Sequence, residues 1–434
     1  MANDELLESF RQAYRNLQLL PLITPEELDR FRVEYGGRTL AELEQVVEDC
    51  SGINNKVIFA GHRGCGKSTL LAEFKRRISD RYFVISFSIA EAIEMSDINH
   101  INILYAIAVQ MLSAAEEEQI EIKKSIKEAF YRWFTTTQTN IKYEDLDKYV
   151  SGGSNFFGLL KTDLKANVKT RREIKEKFEK NFKDLVDRIN EIAAVLQNNI
   201  ERDILVIIDD LDKLDLKVVR EIYYDNVKSL FQPQFRIIFT VPIAALREIE
   251  LRRHLETESN NQIKFMPVAK LFLKGANRNP QAEPLEQITE TLSLIISKRI
   301  ESELIEPGII KQIVIQSGGV LREAVRITSI CCAKCLLEIR LDRERQDIKI
   351  NDSILAEAIK DIRNDFATPL FNNDYQILKT IYEEYSPDGD TDIEKQRFLD
   401  LLHGLYILEY LNDDKWYDVH PIIADLLKRK GYLL

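Results

Sequence analysis

The 434-residue sequence predicts an α/β fold, a parallel sheet covered by helices on both faces. Three observations carry this expectation. Short apolar runs without polar alternation suit strands buried on both faces: Lys56-Val57-Ile58-Phe59-Ala60, Tyr82-Phe83-Val84-Ile85-Ser86-Phe87, Ile204-Leu205-Val206-Ile207-Ile208 and Arg236-Ile237-Ile238-Phe239-Thr240. Helical periodicity fills the intervals between them. A glycine-rich turn follows the first run, and a pair of carboxylates closes the third.

In chain order, residues 3–50 read as helices, with Leu6, Leu7, Phe10, Tyr14 and Leu17 at helical spacing. Thr24-Pro25-Glu26-Glu27 is a helix start: a capping hydroxyl, proline in the first turn, then acids at the positive end of the dipole. Another helix is expected over Thr39 to Cys50, before Ser51-Gly52. The first strand, a helix from Ser68 to Ser79 and the second strand follow. More than 100 mostly helical residues separate the second and third strands. Within them Ser151-Gly152-Gly153-Ser154 reads as a joint. Thr170 to Asn198 reads as one amphipathic helix with Ile174, Phe178, Phe182, Leu185, Ile189, Ile192 and Leu196 on one face. Ile263-Lys264-Phe265-Met266 is a candidate fifth strand, and residues 285–365 are again helical.

Composition bounds the rest. Hydrophobic residues make up 45% and charged residues 30%, as in globular proteins, and 16 Gly with 11 Pro exclude a collagenous or disordered chain. Five cysteines are too few and odd in number for a disulfide framework, which points to a reducing, cytoplasmic setting. No apolar run approaches the ~18 residues of a spanning helix, so no membrane role is expected; the longest, Ile101 to Leu112, carries Asn102 and Gln110. The opening Met-Ala-Asn-Asp-Glu does not read as a signal peptide. A net charge of −11 does not attract nucleic acid globally.

Gly61-His62-Arg63-Gly64-Cys65-Gly66-Lys67-Ser68-Thr69 fits G-x-x-x-x-G-K-[ST] between a strand and a helix. Its glycines let backbone N–H groups crowd a phosphate, and the helix N-terminus adds partial positive charge. Lys67 would reach the β/γ-phosphates, and the Ser68 hydroxyl would ligate Mg²⁺. The bland alternative is a glycine-rich turn that binds nothing. Ile208 is followed by Asp209-Asp210-Leu211-Asp212-Lys213. Ligands of open parallel sheets sit at the carboxyl ends of strands, so Asp209 is expected to hold Mg²⁺ and Asp210 to orient or deprotonate an attacking water. A helix-capping acid pair is the competing reading. Lys67 and Asp209 lie 142 residues apart, which fits an inserted helical module.

Together these motifs resemble a P-loop NTPase of the AAA+ and STAND ATPase group, over roughly residues 30–365. The resemblance implies strand order 5-1-4-3-2, with ATP and Mg²⁺ as cofactors. It also implies four parts: an N-terminal helical segment (1–50), an ATPase core (51–280) with an insertion at about 95–200, a helical lid (281–368) and a winged-helix domain (369–434). Tyr35-Gly36-Gly37-Arg38-Thr39-Leu40-Ala41-Glu42-Leu43 is similar to the Gly-Arg-x-x-Glu-Leu segment of origin-binding AAA+ proteins. That similarity implies that Tyr35 and Arg38 contribute to an adenine pocket. Thr240 matches the polar sensor of the γ-phosphate. Ser317-Gly318-Gly319-Val320-Leu321-Arg322 resembles the start of the second-sensor helix, which gives Arg322 the same duty from the lid. Asp210 stands where Glu is common. Its shorter side chain implies slow hydrolysis and tilts the resemblance towards a STAND-like switch.

Arg247, Arg252 and Arg253 read as a solvated helix face, with an arginine finger in a homo-oligomer as the alternative. Lys161 to Arg188 holds ten Lys/Arg and six Asp/Glu, and Arg171, Arg172 and Lys175 there are candidates to touch phosphate backbone or an acidic partner. Intrahelical pairs Glu173–Lys177 and Glu176–Lys180 are the preferred reading. The tail reads helix (Asp374 to Tyr385), loop (386–390), helix (Glu394 to Leu405), hairpin (Tyr406–Leu411, turn 412–415, Trp416–Val419), then a helix after His420-Pro421. This pattern resembles a winged helix. Residues 370–434 carry seven Lys/Arg against thirteen Asp/Glu, which favours protein docking over DNA. Cys331, Cys332 and Cys335 lack a second zinc half-site and read as helix packing. The expected protein is thus a cytoplasmic ATPase switch of antiviral type that engages unidentified protein partners through insertion and tail. The alternative is a DNA-handling loader or target selector.

Overall fold

The computed structural model describes residues 2–49, 55–137, 156–279, 281–342, 344–345, 347–387, 391–411 and 414–433. The expected joint 151–154 lies outside these residues, as do Cys50, Ser51-Gly52 and parts of the tail's loop and hairpin turn. The chain divides into two compact units. One comprises Met1–Gly37, Gly61–Glu73 and Met266–Leu434; the other comprises Arg38–Ala60 and Phe74–Phe265.

The second unit is built on a five-stranded parallel sheet of order β2-β3-β4-β1-β5. The strands are β1 (Lys56–Gly61), β2 (Tyr82–Ser88), β3 (Asp203–Asp209), β4 (Arg236–Pro242) and β5 (Ile263–Met266). This is the expected order read from the other edge. Apolar side chains on both faces explain the missing alternation, and the interior positions of β1, β3 and β4 are buried. Register sets Ser88 opposite Asp209 and Ile208 opposite Phe239, so β2 and β3 end together while β4 runs on to Pro242.

The long apolar run is helix His100–Glu117, capped by the Asn99 side chain and buried around nearly its whole circumference. Helices Phe156–Ala166, Val168–Lys180 and Phe182–Gln197 pack against it. The single helix expected over 170–198 is two. Asn181 (φ −141°, ψ 57°) leaves helical geometry between Lys180 and Phe182. Each piece then turns its own apolar residues inward, Ile174 and Phe178 on one and Leu185, Ile189 and Ile192 on the other. Arg171 is an interior residue: its guanidinium binds Asp97 at 2.7 and 2.9 Å and the carbonyls of Leu164 and Lys165. Surface pairs on helix Val168–Lys180 include Lys169–Glu173 and Lys175–Glu179.

In the first unit, helix Ala2–Asn16 packs on helix Leu321–Leu341. The Thr24 hydroxyl accepts from Glu27 N–H at 3.2 Å, and the Glu27 carboxylate accepts from the N–H groups of Ile23 and Thr24. Those bonds hold the Glu27 carboxyl below its ordinary range. Cys331, Cys332 and Cys335 lie buried on the inner face of Leu321–Leu341, where desolvation pushes the Cys331 and Cys335 thiols up to about 12. The tail comprises helices Asn372–Glu384 and Asp392–His403, the antiparallel hairpin β6 (Ile407–Leu411) and β7 (Lys415–Val419), and helix Pro421–Arg429. His420 caps that last helix through Nδ1; burial lowers its pKa to about 3, so the ring stays neutral.

Candidate functional site

Each unit carries its own group of candidate residues, and each group is built at a strand end. In the first unit the chain leaves β1 at Gly61 and enters helix Lys67–Ile78. Gly64 (φ +78°) and Gly66 (φ +101°) adopt backbone conformations that L side chains rarely tolerate. They also have no room for one. A Cβ on Gly64 would lie 2.7 Å from Arg322 Cβ, and one on Gly66 2.9 Å from Leu321 Cδ1. The loop thus approaches the start of helix Leu321–Leu341, and Arg322 N–H donates to Gly64 O at 3.0 Å. This places the expected second-sensor arginine beside the loop.

Lys67 is only 4% exposed, and its Nζ donates to Gly61 O (3.1 Å) and His62 O (2.7 Å). Cys65 is fully buried, with Sγ 3.9 Å from that Nζ. Ser68 and Arg63 are partly exposed, and Thr69 Oγ1 accepts from Leu22 N–H at 3.1 Å. His62 is buried, and its Nε2 accepts from the backbone N–H of Glu409 in β6 at 2.8 Å. Tyr35 donates its hydroxyl to Pro267 O at 2.9 Å, and burial pushes its pKa upward. Turned-in backbone at the positive end of a 12-residue helix, with a lysine rooted at its first position, is a phosphate cradle in chemical terms.

In the second unit β3 ends in an acidic turn. Asp209 Oδ1 accepts from Asp210 N–H at 2.8 Å. Asp210 has φ +68°, a left-handed conformation that Asp tolerates better than most side chains. Both its carboxylate oxygens are engaged: Ser88 Oγ donates to Oδ2 at 2.6 Å, and Lys213 Nζ lies 2.6 Å from Oδ1. Thr240 is buried in β4. Its hydroxyl donates to Ile208 O (3.2 Å) and accepts from Leu211 N–H (3.1 Å), clamping the backbone on both sides of the acid pair. Tyr223 donates to Thr240 O at 3.4 Å, and burial raises that phenol's pKa. Among the described residues Asp209, Asp210 and Asp212 form a group whose carboxylate oxygens lie within 4.8 Å of one another, a hard-oxygen donor set of the kind Mg²⁺ takes.

Arg38 stands in solvent, paired with Glu42 at 3.0 Å. Arg252 pairs with Glu256 on its own helix, Arg253 is exposed, and Arg247 lies over the Phe265 ring. Sequence reasoning missed Ser88, Lys213 and Tyr223 as partners of the acidic turn. Ser88 had a signal: it closes β2, as Asp209 closes β3. The bond from Glu409 to His62 spans 347 residues and had none.

The sequence model of the KAP family P-loop domain matches residues 41–267. Among solved structures, the chain is similar to the ORC2 protein of Aeropyrum pernix (ADPNP–ADP complexes) at 12% identity, covering 96% of this chain and 98% of that one, with a TM-score of 0.44. It is similar to Cdc6p of Pyrobaculum aerophilum at 11% identity (94% and 98% covered, TM-score 0.40). It is similar to the RuvB Holliday junction branch migration motor of Thermotoga maritima at 15% identity (95% and 99% covered, TM-score 0.36). Among curated proteins no sequence matches the chain.

Proposed function

The chain belongs to the KAP family of P-loop NTPase domains, which implies nucleotide binding, and we propose that it is a slow, Mg²⁺-dependent ATPase that works as a nucleotide-controlled switch. One observation carries the reading: the G-x-x-x-x-G-K-S loop, with glycines at φ +78° and +101° and Lys67 at the helix start, is shaped for a polyphosphate. Lys67 would exchange its two backbone carbonyls for β/γ-phosphate oxygens. Arg322, beside Gly64, would supply charge from the neighbouring helix, and Tyr35 and Arg38 remain the proposed adenine-side residues. Ser68 and Asp209 would offer oxygens to Mg²⁺, which when bound neutralises charge on the phosphates.

Asp210 would receive the proton of the attacking water. Its carboxylate already accepts from the Ser88 hydroxyl and lies against the Lys213 ammonium, and these contacts would have to rearrange around the water. Thr240 would act through the acidic turn, since its hydroxyl already bridges the residues around it. The protein partners would dock on insertion and tail in the cytoplasm, where an antiviral signalling role is the proposed setting. No helix among the described residues is long and apolar enough to cross a membrane.

Lys67→Ala is expected to abolish ATP binding in equilibrium dialysis, and retained affinity would remove the loop from the account. Asp210→Asn keeps the left-handed turn accessible, since Asn tolerates that conformation. It should preserve binding and reduce phosphate release by about 10²-fold or more, in line with loss of a general base. Equal turnover would remove Asp210 from the mechanism.

A further inference from the structure

Within the first unit, three contacts close a triangle around the phosphate loop. Arg322 N–H donates to Gly64 O, tying the loop to helix Leu321–Leu341. Tyr410 donates its hydroxyl to Gly318 O at 2.8 Å, tying β6 to the turn before that helix. Glu409 N–H donates to His62 Nε2 at 2.8 Å, tying β6 back to the loop. The corners are dry: His62 and Glu409 are at most 2% exposed, and Leu408, Tyr410 and Trp416 pack with Val268 and Val320 in one apolar cluster. Among the described residues β6 pairs only with β7, so its other edge has backbone groups to satisfy, and the His62 ring takes one.

The same residue also meets the phosphate-seeking lysine, because His62 O accepts from Lys67 Nζ at 2.7 Å. His62 therefore has its carbonyl on Lys67 and its ring on the tail. We propose that His62 is a mechanical joint through which the C-terminal hairpin senses occupancy of the phosphate loop. Lys67 leaves His62 O when it turns to a phosphate. The His62 peptide loses that restraint, keeping the Cys65 N–H at 3.4 Å on its carbonyl, and the ring's hold on β6 slackens. Nucleotide would thus loosen the tail hairpin with no contact between the hairpin and the nucleotide. This rests on the nucleotide-binding reading above and adds the route by which it reaches the tail.

The test is hydrogen–deuterium exchange on the full chain, resolved at the Glu409 amide by fragmentation, with and without a non-hydrolysable ATP analogue whose binding is measured separately. Loss of one net hydrogen bond predicts exchange roughly five- to tenfold faster with the analogue bound. Lys67→Ala should give the same acceleration without nucleotide. His62→Phe should give it and make the site indifferent to the analogue, whereas His62→Gln, whose amide oxygen can reach the Nε2 position, should restore protection. If the analogue binds but Glu409 exchange is unchanged, the joint is wrong and the ATPase reading stands. If the analogue does not bind, both fall. If Lys67→Ala leaves Glu409 as protected as in the wild type, the lysine does not hold the joint.

Discussion

At the scale of single residues, the acidic turn shows how a shared motif can be tuned. A carboxylate that closes a parallel strand is normally free to meet a ligand. Asp210 is instead held by the Ser88 hydroxyl and the Lys213 ammonium, each at 2.6 Å, and its backbone is pinned by Thr240 on either side. A group that already accepts a charged donor gains less from taking a proton. Lys213→Met should therefore raise ATP turnover severalfold if Asp210 receives the water's proton, with little change in nucleotide affinity, as read by single-turnover phosphate release and by binding titration. A fall in turnover would instead make Lys213 part of the productive arrangement. Lys213 lies three residues past Asp210, at the end of the single turn Leu211–Lys213, so the pair is local, but sequence spacing does not announce that turn.

At the scale of elements, β1 decides where the loop begins. Lys56 opens the strand almost fully buried, and its Nζ donates to Pro233 O (2.9 Å) and Phe235 O (2.8 Å), the carbonyls just before β4. Burial lowers its pKa to about 7 from an ordinary 10.5. Between those values the unfolded chain keeps the proton while the folded chain sheds it. The unfolded state then binds more protons, and stability rises with pH across roughly 7 to 10. Chemical denaturation over that range should show a stability gain in the wild type that Lys56→Met lacks. Parallel slopes in the two proteins would place the lysine's proton elsewhere. The strands were legible because each is a short apolar run bounded by loops, and their order followed from the resemblance those motifs carried. The break at Asn181 was not legible: the apolar spacing runs through it, and only packing against helix His100–Glu117 rewards two shorter pieces over one.

At the scale of the whole molecule, the phosphate loop and acidic strand were legible because each is a contiguous run of residues. The bonds that condition them join distant positions, Ser88 to Asp210 over 122 residues and Glu409 to His62 over 347, and no local pattern encodes such pairs. The charge distribution bears on the choice between switch and DNA loader. Duplex binding at physiological salt draws on several lysines or arginines placed on one face, each releasing counterions. Here the net charge is −11 and the tail contributes −6. In the basic insertion helix, Arg171 is spent on Asp97 and two carbonyls, while Lys169 and Lys175 face acids one turn away. A fluorescent duplex titrated with the full chain should show no saturable binding at about 100 mM salt up to roughly 10 µM protein, where even non-specific basic binders begin to associate. ATP turnover should also be the same with and without DNA. Binding that weakens steeply with salt, accompanied by faster turnover on DNA, would transfer the molecule to the loader class and require a basic face that the acidic tail does not supply.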